Sequence, residues 1–499
     1  IRDRYYSTNN DLTDVIIGEV VEDTTITTTA LNTSGNLDTG VSKDVALVIA
    51  NNSDNDIDVI IGVVSGYVGN TITYGSDGYP SGTKITSTYN LSDITNSCEG
   101  GTSVGDNCII KIENGKKVTY CPTLTEDLVE DPTGANRPVL ADGMIPITYD
   151  GTNWVKADEY GAYNEWYDYG NQKWANAVMV TSATRETYMN ADVGTTIPEN
   201  DILAYFVWIP RYKYQLFNAT YSRSEKTEQL IDVVFENGTS TTGTVTCTYA
   251  SNGAETCQNK ANGNWYTHPA FTMINASGNK TELKGIWVGK FETTGSTTTP
   301  TVKPGISSLR NINVASMYST GQLFRSTDYL TTNGVSSADS HMMKNIEWGA
   351  VAYLKQSNYG LGITDITINS NSSYYTGGGT GTSYKTNTSQ STTGNITGVY
   401  DMSGGAFEYV MGNIKKQSGN SGLTPSGVPA EHIDIYSSTS VSASHLGDAI
   451  GETAGWYSDY VDFTGYWVCR GGHYSYGDSA GIFSFGHGGI GAYTGFGFH

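Results

Sequence analysis

Residues 398–413, GVYDMSGGAFEYVMGN, are the most telling stretch of this 499-residue chain. Two other segments of the same half share its texture, with aromatics set among apolar residues or glycines. These are FVWIPRYKY at 206–214 and YWVCRGGHYS at 466–475. The first 140 residues read differently. There, β-branched runs such as DVIIGEVVEDTTITTT (14–29), DVALVIANN (44–52) and DVIIGVVSGYV (58–68) alternate with Asn, Asp, Gly and Ser turns. That spacing is the one expected of an antiparallel sandwich or a similar small β domain. Trp and Phe are nearly absent from it, so the expected core is thin, as in a stalk or assembly module.

Length alone argues for two or three domains. The chain carries 28 Lys and Arg against 50 Asp and Glu, a net charge of −22. Such a surface repels phosphate and counts against nucleic acid or an anionic membrane as partner. Only 16% of residues are charged, while Gly (59) and Tyr (35) are abundant. With 37% hydrophobic and 11% aromatic residues the chain builds cores and is not disordered. No run approaches the length needed to cross a membrane; the apolar run Val59–Val64 reads as a buried strand. Hydroxyl- and amide-rich solubility of this kind suits a secreted or surface-displayed β-protein. The first residue is Ile1, and no signal peptide is recognisable, which suggests a mature or trimmed product.

There are six cysteines. Cys247 and Cys257 flank TYASNGAET, whose Ser-Asn-Gly is a turn between two strand-like arms, so a disulfide is expected to staple that hairpin. It implies an oxidising compartment. Cys98 lies near Cys108 and Cys121, and one more bridge is expected there, with Cys98 and Cys108 as candidates and the pairing among the three left open. Cys469 reads as a buried thiol rather than a nucleophile. Zinc is not expected, because no C-x₂-C or paired-His spacing accompanies these residues.

Pro and Gly punctuation in VEDPTGANRPVLADGMIPI (129–147) marks a linker, and 141–205 reads as linker and lead-in to a final domain at 206–499. Loops rich in Ser, Thr, Gly and Asn at 295–305 and 369–395 fit a small sheet scaffold that carries long ordered loops. The clearest helix lies within 337–357, where Met343, Ile346, Ala350, Val351 and Leu354 follow helical spacing and the start falls between Ser340 and Lys344.

Five segments, in order, resemble the formylglycine-generating-enzyme-type (sulfatase-modifying-factor) version of the C-type lectin fold. They are FVWIPRYKY, GIWVGKFETTG (285–295, with Glu292 and Thr293 in the expected places), MMKNIEWGAVAYL (342–354), GVYDMSGGAFEYVMGN and YWVCRGGHYS. The resemblance implies a mostly β fold with some α (α+β): an N-terminal β-sandwich-like domain, then a C-type-lectin-type domain with long ordered loops. It does not imply the family's chemistry. The copper-binding cysteines of its oxygen-using enzymes lie after the RGG segment, and here no cysteine follows Cys469. The seven histidines (268, 341, 432, 445, 473, 487, 499) show no grouping like that of the iron-dependent relatives, and the calcium-ligand tripeptides of sugar-binding lectins do not occur. No catalytic residue, no metal ligand and no cofactor is therefore expected, although a structural calcium ion is compatible with the fold.

The last segment, RGGHYSYGDSAGIFSFGHGGIGAYTGFGFH (470–499), resembles the variable region of C-type-lectin-fold proteins diversified by retroelements. Adenine-directed change at Asn codons reaches Tyr, Ser, His, Asp, Gly, Phe, Ile and Thr but not Lys, Glu, Gln, Met or Trp. None of those five occurs between Gly471 and His499. The resemblance implies a contact face made of His473, Ser475, Tyr476, Asp478, His487, Ile490, Tyr493, Thr494 and Phe496. Gly471, Gly472, Ala480, Gly481, Phe483, Phe485 and Ala492 would form its framework. Tyr brings large amphipathic area at low entropic cost, and Ser and Gly add adaptable contacts. The expected function is a secreted or surface-displayed adhesin or receptor-binding protein for a protein or glycan ligand, with the N-terminal domain free to drive homo-oligomer or filament assembly. A formylglycine-generating-type oxidase or degenerate relative, and a pilus or filament tip subunit, are the alternatives.

Overall fold

The computed structural model describes residues 131–499 apart from 142, 160–162, 223–226, 326–338 and 488–490; within the first 130 residues it describes the backbone of the strands. The chain divides into two compact units, Ile1–Val129 and Glu130–His499. The described regular structure is richer in strand than in helix. Among the described residues, no helix is long and apolar enough to cross a membrane.

The first unit contains β1 (Arg2–Ser7), β2 (Val15–Val21), β3 (Thr25–Thr27), β4 (Val45–Ile49), β5 (Asp58–Val64), β6 (Thr83–Asn90), β7 (Cys108–Glu113) and β8 (Lys116–Tyr120). Six of them form an antiparallel sheet in the order β3-β2-β1-β4-β7-β8, and β5 pairs with β6. The β-branched runs of this half supply β2, β4 and β5, as continuous stretches rich in Val and Ile should. The side chains of Cys98, Cys108 and Cys121 lie outside the described residues, and so does the second expected bridge.

The second unit begins earlier than the sequence suggests. Its first sheet has the order β10-β9-β11-β12-β13, all antiparallel, built from β9 (Ile145–Tyr149), β10 (Trp154–Lys156), β11 (Asn176–Val180), β12 (Ile202–Pro210) and β13 (Gly285–Gly289). Residues 141–205 are thus no linker: they supply three strands, and β11 (NAVMV) is buried along its whole length. The backbone around Asn136 is anchored too. The Asn136 amide donates to the carbonyls of Glu236, Gly238 and Lys284. Pro and Gly mark irregular backbone, but irregular backbone packs when its polar groups find partners.

The disulfide expected at the hairpin is present. Thr246–Tyr249 pairs with Glu255–Gln258, Cys247 opposite Cys257, with a Cα–Cα distance of 4.1 Å. Gly253 at its turn has φ +84°, and a Cβ there would lie 2.0 Å from the Ile435 carbonyl oxygen, so only glycine lets the hairpin tip dock.

The second sheet carries β14 (Phe407–Ile414), β15 (Asp434–Tyr436), β16 (Trp467–Gly471), β17 (Gly481–His487) and β18 (Phe496–Gly497), in the order β15-β14-β16-β17 with β18 also on β14. The two sheets meet at Glu292. Its buried carboxylate accepts from the Ala406 amide at 2.8 Å, and a Cβ on Gly405 would lie 2.3 Å from it.

The second unit also contains helices α1 (Val314–Gly321) and α2 (Asn345–Lys355). The Glu347 carboxylate accepts from the Lys344 amide at 2.7 Å, which starts α2 at Asn345, just past the start read from the sequence. The apolar stripe Ile346, Ala350, Val351, Leu354 is buried, but so are Trp348, Gly349, Ala352, Tyr353 and even Lys355. The helix is covered all round. The Tyr212 hydroxyl donates to the Ala350 carbonyl (2.7 Å), Trp348 Nε1 donates to the Ile482 carbonyl (2.8 Å), and the Tyr353 hydroxyl donates to Glu452 (2.9 Å). A Cβ on Gly349 would lie 1.9 Å from the Gly447 carbonyl oxygen.

Gly349→Ala is expected to destabilise the protein by about 3 kcal/mol, since overpacking against backbone cannot relax by rotamer change. Gly427→Ala, at an exposed position where a Cβ would meet nothing within 4 Å, should stay within about 0.5 kcal/mol of wild type. Denaturant unfolding of both variants checks this. A second expectation concerns Glu452, whose Oε2 accepts from Tyr214, Tyr353 and the Gly447 amide. Burial pushes its carboxyl up to about 7. Below the ordinary value of 4.5 the group is protonated whether folded or unfolded. Between there and about 7 only the folded state holds the proton, so its contribution to stability falls by about 1.4 kcal/mol per pH unit as pH rises. The stability of Glu452→Gln relative to wild type should therefore rise across that window and level off on either side of it.

Candidate recognition surface

The tail is held by an arginine that has no access to water. Arg470 is fully buried, its guanidinium donating to the Ala449 carbonyl at 2.9 Å and lying 5.6 Å from the Trp348 ring centre and 5.7 Å from that of Phe485. Burial lowers its pKa to about 10, still well above neutral pH. Arg470 stands opposite Phe485 in the antiparallel β16–β17 pair, and the register shifts immediately after it. Gly471 (φ +82°) and Gly472 (φ +75°) then take the chain into left-handed backbone. A Cβ on Gly472 would lie 2.6 Å from Ala480 Cα, so the strand leaves the sheet and returns there only because this residue is glycine.

The excursion at 473–480 carries the exposed groups, and β17 carries the anchors. Phe483 and Phe485 are both 0% exposed. Phe483 packs edge-on to Trp456 (5.2 Å) and stacks with Tyr457 (6.0 Å), while Phe485 meets Phe463 at 6.2 Å. Of the residues assigned to the contact face, Ser475, Tyr476, Asp478, His487, Tyr493 and Thr494 are exposed. His473 and Phe496 are half-buried, held by neighbouring rings, and Ile490 lies outside the described residues. Ala492, assigned to the framework, is exposed instead. It sits in the 491–495 stretch ahead of β18, which reaches the surface before the chain turns in at Phe496.

Side-chain contacts join most of these groups into one patch. His473 lies 5.7 Å from Tyr476, which lies 6.0 Å from Tyr460. The Tyr460 hydroxyl donates to Asp462 at 3.2 Å, and Asp462 pairs with His487 at 2.9 Å. In the other direction the Tyr374 hydroxyl meets His473 Nε2 at 2.7 Å, and Arg310 stacks on the Tyr374 ring at 3.7 Å while donating to the Thr494 carbonyl. Tyr493 and Phe496 pack at 5.5 Å. Tyr374, Tyr460, Tyr474 and Arg310 were missed by the sequence reading. They come from loops, one of them the 369–395 loop whose length was the only available signal. Tyr374 holds a left-handed φ of +58°, a conformation that its stacking and hydrogen bonds must stabilise.

The surface is π-rich and carries charge of both signs. Burial, and then Arg310, lower the His473 pKa, so its imidazole is uncharged at neutral pH. Its Nδ1 lies 2.8 Å from the Ser475 hydroxyl, the distance of a serine–imidazole pair. The far nitrogen meets a tyrosine hydroxyl rather than a carboxylate, however, so the geometry orients the ring for hydrogen bonding without raising its basicity as a hydrolytic triad would. Phenol faces, hydroxyls, two imidazoles, a guanidinium and two carboxylates on a sheet framework suit reversible binding.

Phe483→Ala should cost roughly 3–5 kcal/mol, the usual range for a buried phenylalanine. Ser475→Ala, Tyr476→Ala, Asp478→Ala and Thr494→Ala should each shift stability by no more than about 0.5 kcal/mol. Chemical denaturation of the five single variants measures both. No protein-family model matches the chain, and no curated protein is significantly similar to it, so the chemistry of the surface itself carries the functional reading.

Proposed function

We propose that this is a secreted or surface-displayed ligand-binding protein of adhesin or receptor-binding type. In this reading the N-terminal unit is a β-sandwich-like stalk or assembly module. The C-terminal unit is a C-type-lectin-type head of the formylglycine-generating-enzyme architecture, and residues 470–499 form its diversified contact face. One observation carries the proposal: exposed Ser475, Tyr476, Asp478, Tyr493 and Thr494 lie in segments that join strands whose side chains are mostly buried, and His487 is exposed at the end of β17. Aromatic hydroxyl-bearing groups on a rigid base are what a general recognition surface requires, because little entropy is lost when a ligand docks. The hairpin disulfide supports an oxidising location. The absence of Lys, Glu, Gln, Met and Trp across the tail supports diversification.

Binding to arrays of glycans and of cell-surface protein ectodomains should reveal a saturable ligand. Replacing Ser475, Tyr476, Asp478, His487, Tyr493 and Thr494 together by alanine should abolish that binding while leaving Tm within a few degrees of wild type. Binding that survives the six-fold variant would remove the tail from the contact face. Sequences of the same locus from several isolates should differ by adenine-directed changes concentrated in 473–496.

A further inference from the structure

Apart from the exposed tail residues, three side chains from distant segments converge beside a cavity that the buried His499 also lines. Asp339 and His341 precede α2, and His432 ends the short 3₁₀ turn Ala430–His432, ninety-three positions from Asp339. One ligand atom from each lies within 4.8 Å of the other two. His432 Nε2 stands 2.9 and 3.0 Å from the two Asp339 oxygens, and His341 Nδ1 stands 3.2 Å from Oδ2. The imidazoles lie face to face, 4.5 Å between centres and 18° from parallel, so both rings present an edge to the same carboxylate.

The second nitrogen of each ring is also fixed. His341 Nε2 lies 3.0 and 3.2 Å from the Glu347 oxygens, so it carries a proton and donates it. His432 Nδ1 lies 3.2 Å from the Tyr318 hydroxyl, whose oxygen also accepts from Gln322 Nε2 at 2.9 Å. That oxygen can accept the Nδ1 proton, which leaves the Nε2 lone pair directed at Asp339. His341 Nδ1 is buried and, despite its closeness to Asp339, makes no hydrogen bond of proper geometry. A carboxylate behind one imidazole and a phenol behind the other is the arrangement that orients metal-binding histidines. With protons on the two facing nitrogens the cluster is an ion-pair network; without them, two lone pairs and a carboxylate converge on one point, which is the donor set of a cation.

We propose that Asp339, His341 and His432 bind one divalent transition-metal ion, oriented from behind by Glu347 and Tyr318. Two imidazoles and one carboxylate form a borderline donor set, suited to Zn²⁺ or Co²⁺ rather than Ca²⁺ or Mg²⁺. Three protein ligands leave at least one coordination position unfilled. Asp339, His341, Glu347 and Met343 line one part of a cavity of about 590 Å³, whose other walls include Phe206 and Trp287. The remaining position is therefore open to water or to a small ligand with an apolar body. Arg325 Nη1 lies 3.2 Å from Asp339 Oδ1, which leaves Oδ2 as the natural donor oxygen. This site runs against the metal-free expectation, which rested on local sequence spacing.

The full chain, freed of metal with a chelator, should bind one equivalent of Zn²⁺ by calorimetry. One equivalent of Co²⁺ should give the visible ligand-field absorption of a low-symmetry site. His432→Ala and Asp339→Asn should abolish saturable binding, and Glu347→Gln should weaken it about 10–100-fold. A His473→Ala/His487→Ala double variant should bind like wild type. Should His432→Ala fail to fold, imidazole-nitrogen couplings to Cu²⁺ in that double variant decide the matter. Two coupled imidazoles uphold the site, and fewer than two overturn it. Failure of the wild type to bind one equivalent of Zn²⁺ would also overturn it and leave the cluster as a plain ion-pair network. None of these readouts involves the tail ligand, so the two proposals stand or fall separately.

Discussion

Much of the C-terminal unit depends on a helix with no side to give to water. Helix α2 is only eleven residues long, too short to be stable alone, so its neighbours must supply its stability. They do so on every face, and at Gly349 the fit tolerates no methyl group, because the Gly447 carbonyl occupies that space. The same packing sets where the surrounding polar groups go. Ala350 O, Ile482 O and Glu452 each receive a hydrogen bond from an aromatic side chain of the helix or of its partners. Each of those bonds fixes a backbone segment far away in sequence.

The tail inherits its rigidity from this arrangement. Trp348 holds the Ile482 carbonyl and lies over the Arg470 guanidinium, so one indole braces both strands that frame the exposed excursion. Burying an arginine is costly unless its charge is offset by acceptors and π faces; here two rings, the Ala449 carbonyl and the charge of Asp448 offset part of that cost, while Nε and Nη1 have no hydrogen-bond partner among the described residues. A surface mounted in this way can change its exposed residues without changing its framework. The substitutions that would disturb the fold lie at Phe483, Phe485, Gly472 and Arg470, whereas the exposed positions lie between Gly472 and Phe483 and after Phe485. Burial and exposure fall on different residues of one short segment.

The histidines illustrate a different point. Seven are spread along the chain, and nothing in their spacing groups them. Folding brings His341 onto His432, leaves His268 buried with its pKa pushed down to about 3, and sends His487 to the surface beside Asp462. The same side chain becomes a core group, a surface group or a candidate ligand according to what surrounds it.

Local patterns determined a good deal on their own. The β-branched runs of the first unit, the turn between Cys247 and Cys257, the helix within 337–357 and the strand at 466–471 follow from periodicity and turn chemistry between near neighbours. The alternation of exposed and buried residues in the tail was partly legible, because Phe483 and Phe485 differ in kind from the small polar groups around them. What neighbours in sequence could not reveal was decided by contacts over long separations. Residues 141–205 look like a punctuated linker, yet β11 is a central, fully buried strand because β9 and β12 flank it. Tyr374 and Arg310 join the exposed tail patch from loops with no motif, and Asp339 meets His432 only when α2 and β15 are in place. Hydrogen bonding, packing and charge pairing between distant segments leave no periodic trace in the chain, so tertiary structure alone decided those features.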